Sequence, residues 1–265
     1  MISIVRIRMN LSNKPILEAQ VLSAFFPNQD GGLHALDNVS FSIPPQQFVC
    51  ILGPSGSGKS TLLRILGGLL TPTQGKALYA GSPILGPSRR IGLVFQDSNL
   101  MPWRTVVENI MLPLEILKIS PEESSKLVAN MIQLVGLEGF DSWMPADLSG
   151  GMAQRVSIAR ALVYDPDVLL LDEPFGALDA LTREKMALEL LRIWHVSCKT
   201  VIMVTHSIAE AILLADRIFV LTSRPGKICL DMAVQLPRPR SDDIRYSPDF
   251  VTLERKLREA IITEP

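Results

Sequence analysis

Across 265 residues, 26 lysines and arginines stand against 27 aspartates and glutamates, and the resulting formal net charge of −1 gives no broad basic footprint for nucleic acid. Hydrophobic residues make up 47%, enough for one large α/β domain or a core with a subdomain, yet no apolar run approaches the roughly 18 residues needed to cross a bilayer. The three cysteines, Cys50, Cys198 and Cys229, are far apart and form no C-x-x-C pair, which argues against a disulfide framework or a zinc site and is compatible with a reducing cytoplasm.

The first 15 residues carry little information and read as a loose leader, without a signal peptide's long apolar region and cleavage site. Short strands are expected at residues 17–22 and 39–43, the second with apolar–polar alternation, and between them Pro27 to Gly32 is a strong turn cluster. Phe25 and Phe26 stand at its edge, either as core packing or as a ring on which an adenine stacks, with Phe26 favoured over Phe25.

A short buried strand at 47–52 then runs into Gly53, Pro54, Ser55, Gly56, Ser57, Gly58, Lys59, Ser60 and Thr61. This stretch fits G-x-x-x-x-G-K-[ST], and a helix follows from about Lys59, so the motif has the strand–loop–helix setting it requires. Glycines let successive backbone N–H groups curl into an anion-binding nest, and the helix aims its positive end at the same spot. Lys59 can reach β- and γ-phosphates, and the Ser60 hydroxyl can ligate Mg²⁺.

After a turn at residues 70–75, short strands are expected at 76–79 and 91–95, the latter leading to Gln96, whose amide oxygen can ligand a metal or orient a water. Residues 100–162 are mostly helical. Ser120, Pro121 and Glu123 form a capping box with Pro at the first helical position. Ser149, Gly150 and Gly151, within Leu148–Arg155, open a helix near Met152 and make a second anion site. An apolar strand then ends in Asp172 and Glu173, the pattern of a buried parallel strand delivering acids to its carboxyl end. Asp172 is suited to hold Mg²⁺ and Glu173 to polarise an attacking water. Ala177, Leu178 and Asp179 lead into a helix to about Val196, and a strand at 200–205 ends at His206, placed for a γ-phosphate contact. A helix at 207–215 and a strand at 217–221 finish the core, and the alternation implies right-handed crossovers and a mainly parallel sheet. In the tail, 237–240 is a loop, and Phe250, Leu253, Leu257 and Ile261 stripe a last helix that packs back on the core.

The phosphate loop, Gln96, the Ser149-Gly-Gly151 segment, Asp172-Glu173, Ala177-Leu-Asp179 and His206, in that order, resemble the ATP-binding subunit of an ABC transporter over residues 16–225. Leu100-Met-Pro-Trp103, the run from Asp172 to Arg183 and Ser223-Arg-Pro-Gly226 look like its nitrate/sulfonate/taurine importer branch, which also includes importers of other small organic compounds. The resemblance implies an α/β P-loop NTPase (RecA-like) fold in one domain, 1–265: a nucleotide-binding core at 16–95 and 165–225 with an N-terminal antiparallel β subdomain, an inserted helical subdomain at 96–164, and a tail with a helix at 226–265. It implies ATP and Mg²⁺ as ligands. Phe26 would stack on adenine, Gly53 to Thr61 would hold phosphates, and Ser60, Gln96 and Asp172 would serve Mg²⁺ and water. Glu173 would be the catalytic base and His206 the γ-phosphate sensor. Ser149, Gly150 and Gly151 would touch the nucleotide of a second copy in a homodimer, with Asp179 at the seam. Two membrane permease subunits, an extracytoplasmic substrate-binding protein and a peripheral location on the cytoplasmic face of the membrane complete the expectation. Phe26 departs from the family's commoner Tyr, Asp147 from a frequent Gln and Ser207 from a frequent Asp. A nucleic-acid clamp would call for a long coiled-coil insertion, tandem cassettes or a basic surface, and a GTP switch for an N-K-x-D tetrapeptide; the sequence contains none of these.

Overall fold

In a computed structural model, which describes residues 14–27 and 32–262, β1 (Leu17–Phe26) pairs antiparallel with β2 (Leu33–Ile43), Leu17 opposite Ile43 and Phe26 opposite Leu33. Residues 28–31 of the expected turn and 1–13 of the expected leader lie outside the described residues. Val39, Phe41 and Ile43 are buried while Ser40 and Ser42 are exposed, the alternation of a strand with one wet face. β1 runs beyond the expected end at residue 22. Its register shifts between Ala19 and Leu22, with Val21 at φ 52°, so Leu22, Ser23 and Ala24 are all buried and the period of two is lost.

β3 (Phe48–Leu52) is buried at every position, as an interior parallel strand has to be. A loop leads to α1 (Lys59–Leu66), β4 (Gln74–Tyr79), the two-residue β5 (Ser82–Pro83) and β6 (Ile91–Val94). β4 pairs with β1 and β5 with β4, completing a four-stranded antiparallel sheet in the order β2-β1-β4-β5.

The helical section comprises α2 (Val106–Ile116), α3 (Pro121–Leu134) and α4 (Gly150–Leu162), with a 3-10 turn at Pro145–Asp147. Ser120 Oγ accepts from Glu123 N at 3.3 Å, with Pro121 at the first helical position. The reciprocal capping box forms at α2, where Thr105 Oγ1 accepts from Glu108 N at 3.3 Å and Glu108 Oε2 accepts from Thr105 N at 2.8 Å.

β7 (Val168–Asp172), α5 (Ala180–Ser197), β8 (Thr200–Val204), α6 (Ile208–Leu214), β9 (Arg217–Leu221), β10 (Ile228–Ala233) and α7 (Pro248–Ile262) follow. The second sheet has the order β10-β9-β3-β8-β7-β6, parallel from β9 to β6 and antiparallel only at β10. The sequence ends the core sheet at Leu221, and β10 corrects this. As an edge strand it half-buries Ile228, Leu230 and Met232 and exposes the residues between them, a weak apolar signal. The two faces of β3 separate two cores. Val49 and Ile51 pack with Leu63 and Leu66 of α1 against Leu17 and Ile43 of the antiparallel sheet. Phe48 and Cys50 face Met203, Leu190 and the helices, and Phe250 and Leu257 of α7 are buried in that second core, as the stripe predicts.

Arginines of the loop at 237–240 hold the tail down. Arg238 donates to Asp216 Oδ1 at 2.8 Å and lies 4.3 Å over the Trp194 ring. Arg240, only 5% exposed, donates through Nη1 to the carbonyls of Ile212 at 2.9 Å, Leu213 at 3.1 Å and Ala215 at 2.7 Å, satisfying the end of α6 that helical bonding leaves open. Replacing Arg240 with Met strands these carbonyls and is expected to lower the unfolding free energy by about 1–3 kcal/mol. Urea denaturation measures it, and an unshifted midpoint would show that α6 closes without the arginine.

Candidate active site

The carboxyl ends of β3, β7, β8 and β9 deliver their loops to one rim of the sheet, where open parallel sheets bind ligands. The loop after β3 curls around its own lysine. Lys59 Nζ donates to Gly53 O at 2.8 Å and Pro54 O at 2.9 Å, and burial holds the ammonium below its usual range against the opposing charges of Glu173 and Asp172. Gly58 caps α1 at φ 89°, and a Cβ there would lie 2.6 Å from Ala35 O, so both the turn and the close approach of β2 require glycine. Ser57 is fully buried, its hydroxyl oxygen without a hydrogen-bond partner among the described residues.

A cavity of about 250 Å³ opens above this loop. Phe26, Leu33 and Ala35 form one wall, Ser55, Gly56, Gly58, Lys59, Ser60 and Thr61 the floor, and Glu173 and Arg224 close the rim. Phe26 lines it, whereas Phe25 packs edge-on to His34, ring centroids 6.3 Å apart. Ser60 Oγ donates to Asp172 Oδ1 at 2.9 Å. Glu173 sits just past β7 with φ 45°, its N–H donating to Val204 O at 3.0 Å, and its Oε2 lies 3.1 Å from Nδ1 of His206 at the end of β8. Asp172 and His206 thus join the site through Ser60 and Glu173.

The remaining expected residues gather elsewhere. Gln96 and Gly150 line a second cavity of about 210 Å³ with Asp97, Gln154, Ala177 and Leu178. Ser149 caps α4, accepting from Met152 N at 3.3 Å, with Ser149 and Gly150 exposed and Gly151 buried. Asp179 caps α5, and its hydrogen bonds to Thr182 hold the carboxyl below the usual range. α4 begins at Gly150, slightly ahead of the expected Met152.

Sequence reasoning assigned no site role to Arg224, Arg183 or Glu210. Arg183 donates to Leu178 O at 2.9 Å and Phe175 O at 3.3 Å and approaches Glu210 Oε1 at 3.9 Å, while Glu210 Oε2 accepts from Thr205 Oγ1 at 2.6 Å. Burial pushes the Glu210 carboxyl up despite these partners. Arg183 and Glu210 are distant in sequence, and the pairing of β7 with β8 brings together the loops they join, while Arg224 enters from the turn after β9.

A curled loop of amides with a lysine suits a polyphosphate, and a carboxylate–imidazole pair beside it suits a water attacking that polyphosphate. The Ser60–Asp172 pair offers the hard oxygen ligands Mg²⁺ takes, and no cluster of three acidic or metal-binding side chains occurs among the described residues. Burial also raises the Asp172 carboxyl above its usual range, against the hydrogen bond from Ser60. Its ionisation therefore costs stability: the cost is absent below the unfolded pKa and present above the folded one. Asp172→Asn is expected to raise the unfolding temperature of the nucleotide-free chain near pH 7 and to lose that advantage toward about pH 4. An equal shift at both pH values would exclude charge burial as the cause.

The family model described as ABC transporter matches residues 36–176. The taurine import ATP-binding protein TauB of Pelagibacter ubique is 42% identical over 252 residues, covering 93% of this chain and 94% of that protein. The aliphatic sulfonates import ATP-binding protein SsuB of Bacillus cereus is 43% identical over 236 residues, 89% of this chain and 92% of its own length. Among solved structures, the dimeric post-hydrolysis state of an ATP-binding cassette bound to ADP and Pi superposes with a TM-score of 0.73 at 36% identity, covering 83% of this chain and all of that one. A family match over more than half of the chain, and relatives of this identity along nearly all of it, agree with the order of motifs around the cavity: the chain belongs to the ATP-binding subunits of the ABC transporters.

Proposed function

We propose that the chain hydrolyses ATP at the cavity above the phosphate loop, as one of two identical subunits that drive uptake of a small solute through separate membrane permeases. The observation that carries this reading is the meeting, at one rim, of a buried lysine in a curled loop, a Ser60–Asp172 oxygen pair and a Glu173–His206 pair. In this reading residues 53–61 cradle the phosphates and Phe26 stacks on the adenine. Ser60 and Asp172 would hold Mg²⁺, with Gln96, which lines the neighbouring cavity, as a further oxygen ligand; the cation would supply charge that neutralises the phosphates. Glu173 takes a proton from the attacking water, and His206, bonded to it, steadies that carboxylate and contacts the γ-phosphate.

Ser149, Gly150 and Gly151 make a second anion-binding helix start, yet none of them lines the first cavity, and Gly150 borders the second. Two such sites for one nucleotide make sense when one comes from a neighbouring copy. A two-fold, self-complementary dimer sets each Ser149 helix start, with Asp179 at the seam, against the other chain's γ-phosphate. ATP then bridges the copies, ADP releases them, and the difference moves the permeases. No helix among the described residues is long and apolar enough to cross a membrane. The similarity to import ATP-binding proteins favours the cytoplasmic face, attached through permease subunits, with a substrate-binding protein delivering solute on the other side. Trp103, 71% exposed beside α2, offers such a permease an aromatic contact. The similar proteins named for taurine and aliphatic sulfonates favour a small sulfonate as the solute.

Glu173→Gln keeps the shape and removes the base, so hydrolysis is expected to fall by roughly 10²–10⁴-fold while calorimetry still detects ATP binding. Near-normal turnover would remove Glu173 from the role. Sharing between copies is tested with mixed dimers. Lys59→Ala and Ser149→Arg each damage both sites of a homodimer, but in the mixed pair both lesions fall on one composite site. ATPase activity is expected to reappear on mixing; proven heterodimers without recovery would exclude the shared site.

A further inference from the structure

We propose that Arg224 is a further nucleotide-binding residue, its guanidinium contacting the polyphosphate in the same cavity as Lys59; this rests on the ATPase reading above. Arg224 lies in the turn after β9 and lines that cavity. Its Nε donates to Gly56 O at 3.2 Å, which sets the guanidinium against the phosphate loop. That bond engages one of five N–H donors. The ion pairs found among the described residues leave Arg224 out. Lys59 already faces the carboxylates of Glu173 and Asp172, so Arg224 is the cation of the cavity lining that an anionic ligand would engage afresh.

The turn that presents Arg224 is firmly anchored. Gly226 N donates to Ala35 O at 3.0 Å, and Gly226 O accepts from Asp37 N at 3.0 Å. Thr222 Oγ1 donates to Pro225 O at 2.9 Å and accepts from Lys227 N at 2.8 Å, and Lys227 pairs with Asp37 at 2.8 Å. A Cβ on Gly226 would lie 2.0 Å from Ser57 O, so the turn abuts the phosphate loop itself. One turn therefore joins β9, β2 and the phosphate loop, the parts that bound the cavity. The backbone that carries the arginine is therefore fixed before any ligand arrives, and ordering on binding falls on its side chain alone.

The test is calorimetry on the full chain with MgATP, MgADP and AMP. Arg224→Ala is expected to weaken MgATP and MgADP roughly tenfold or more, since bonds from a charged donor to phosphate are the strong ones. AMP, with a single phosphate, loses much less. Arg224→Lys, which keeps the charge without the planar fork, recovers part of the affinity. The loss shrinks as salt is raised. Unchanged MgATP affinity in Arg224→Ala, or an equal loss for AMP, overturns the proposal. Wild-type affinity for all three nucleotides combined with loss of the dimer also overturns it, and assigns the arginine to the second copy instead. If the wild-type chain binds no nucleotide, the ATPase reading fails first, which separates the two results.

Discussion

A lysine only 6% exposed has to have its ammonium satisfied by fixed oxygens, and Lys59 draws the architecture around itself to meet that need. Its two acceptors, the carbonyls of Gly53 and Pro54, come from the loop that precedes it, so the loop must close on its own side chain. Closure demands the left-handed turn at Gly58 and the burial of Ser57. It also demands that the loop leave the sheet at an interior strand. β3 has β9 on one side and β8 on the other, both parallel, and its five buried residues feed two separate cores. The loop is thereby gripped from behind by packing and from the side by the carbonyl of Ala35 on β2. A polyphosphate gives the same ammonium stronger acceptors than two carbonyls, so the lysine's present partners hold its place.

Around this centre, neighbouring strands are tied by polar bonds instead of apolar contact. Glu173 leaves the line of β7 through a left-handed backbone, and its amide bonds to Val204 on β8, which brings its carboxylate to His206. Behind them, Arg183 of α5 holds the carbonyls of Phe175 and Leu178, and Glu210 of α6 sits between Arg183 and Thr205. The loop from Glu173 to Asp179 and the loop carrying His206 therefore share one buried network. Asp179 and Ser149, by contrast, satisfy the amides that open their own helices and remain exposed, available to a surface beyond the chain.

The turn at residues 222–227 belongs with these constraints, although it lies beyond His206, the last residue expected at the site. It connects the antiparallel sheet to the parallel one next to the cavity and presses Gly226 on the phosphate loop. The spacing between the aromatic wall of Phe26 and the loop floor depends on this connection, since the two belong to different sheets.

Local chemistry is what a sequence displays best, and here it displayed the phosphate loop, the acidic strand end at Asp172-Glu173, the helix start at Ser149 and most strands and helices, because each depends on residues only a few positions apart. The buried β3, β7 and β8 were legible as apolar runs, and the stripe of α7 by its helical period. β10 and the far half of β1 were not: an edge strand shows only a half-buried pattern, and a bulge cancels the period of two. The family's order of motifs was likewise readable without coordinates. The partners were not readable: that Glu173 reaches His206, that Arg224 reaches Gly56, and that Arg183 and Glu210 link two loops. Those contacts join residues 27 to 168 positions apart, and sheet order and register decide them, since no local rule of spacing acts over such separations.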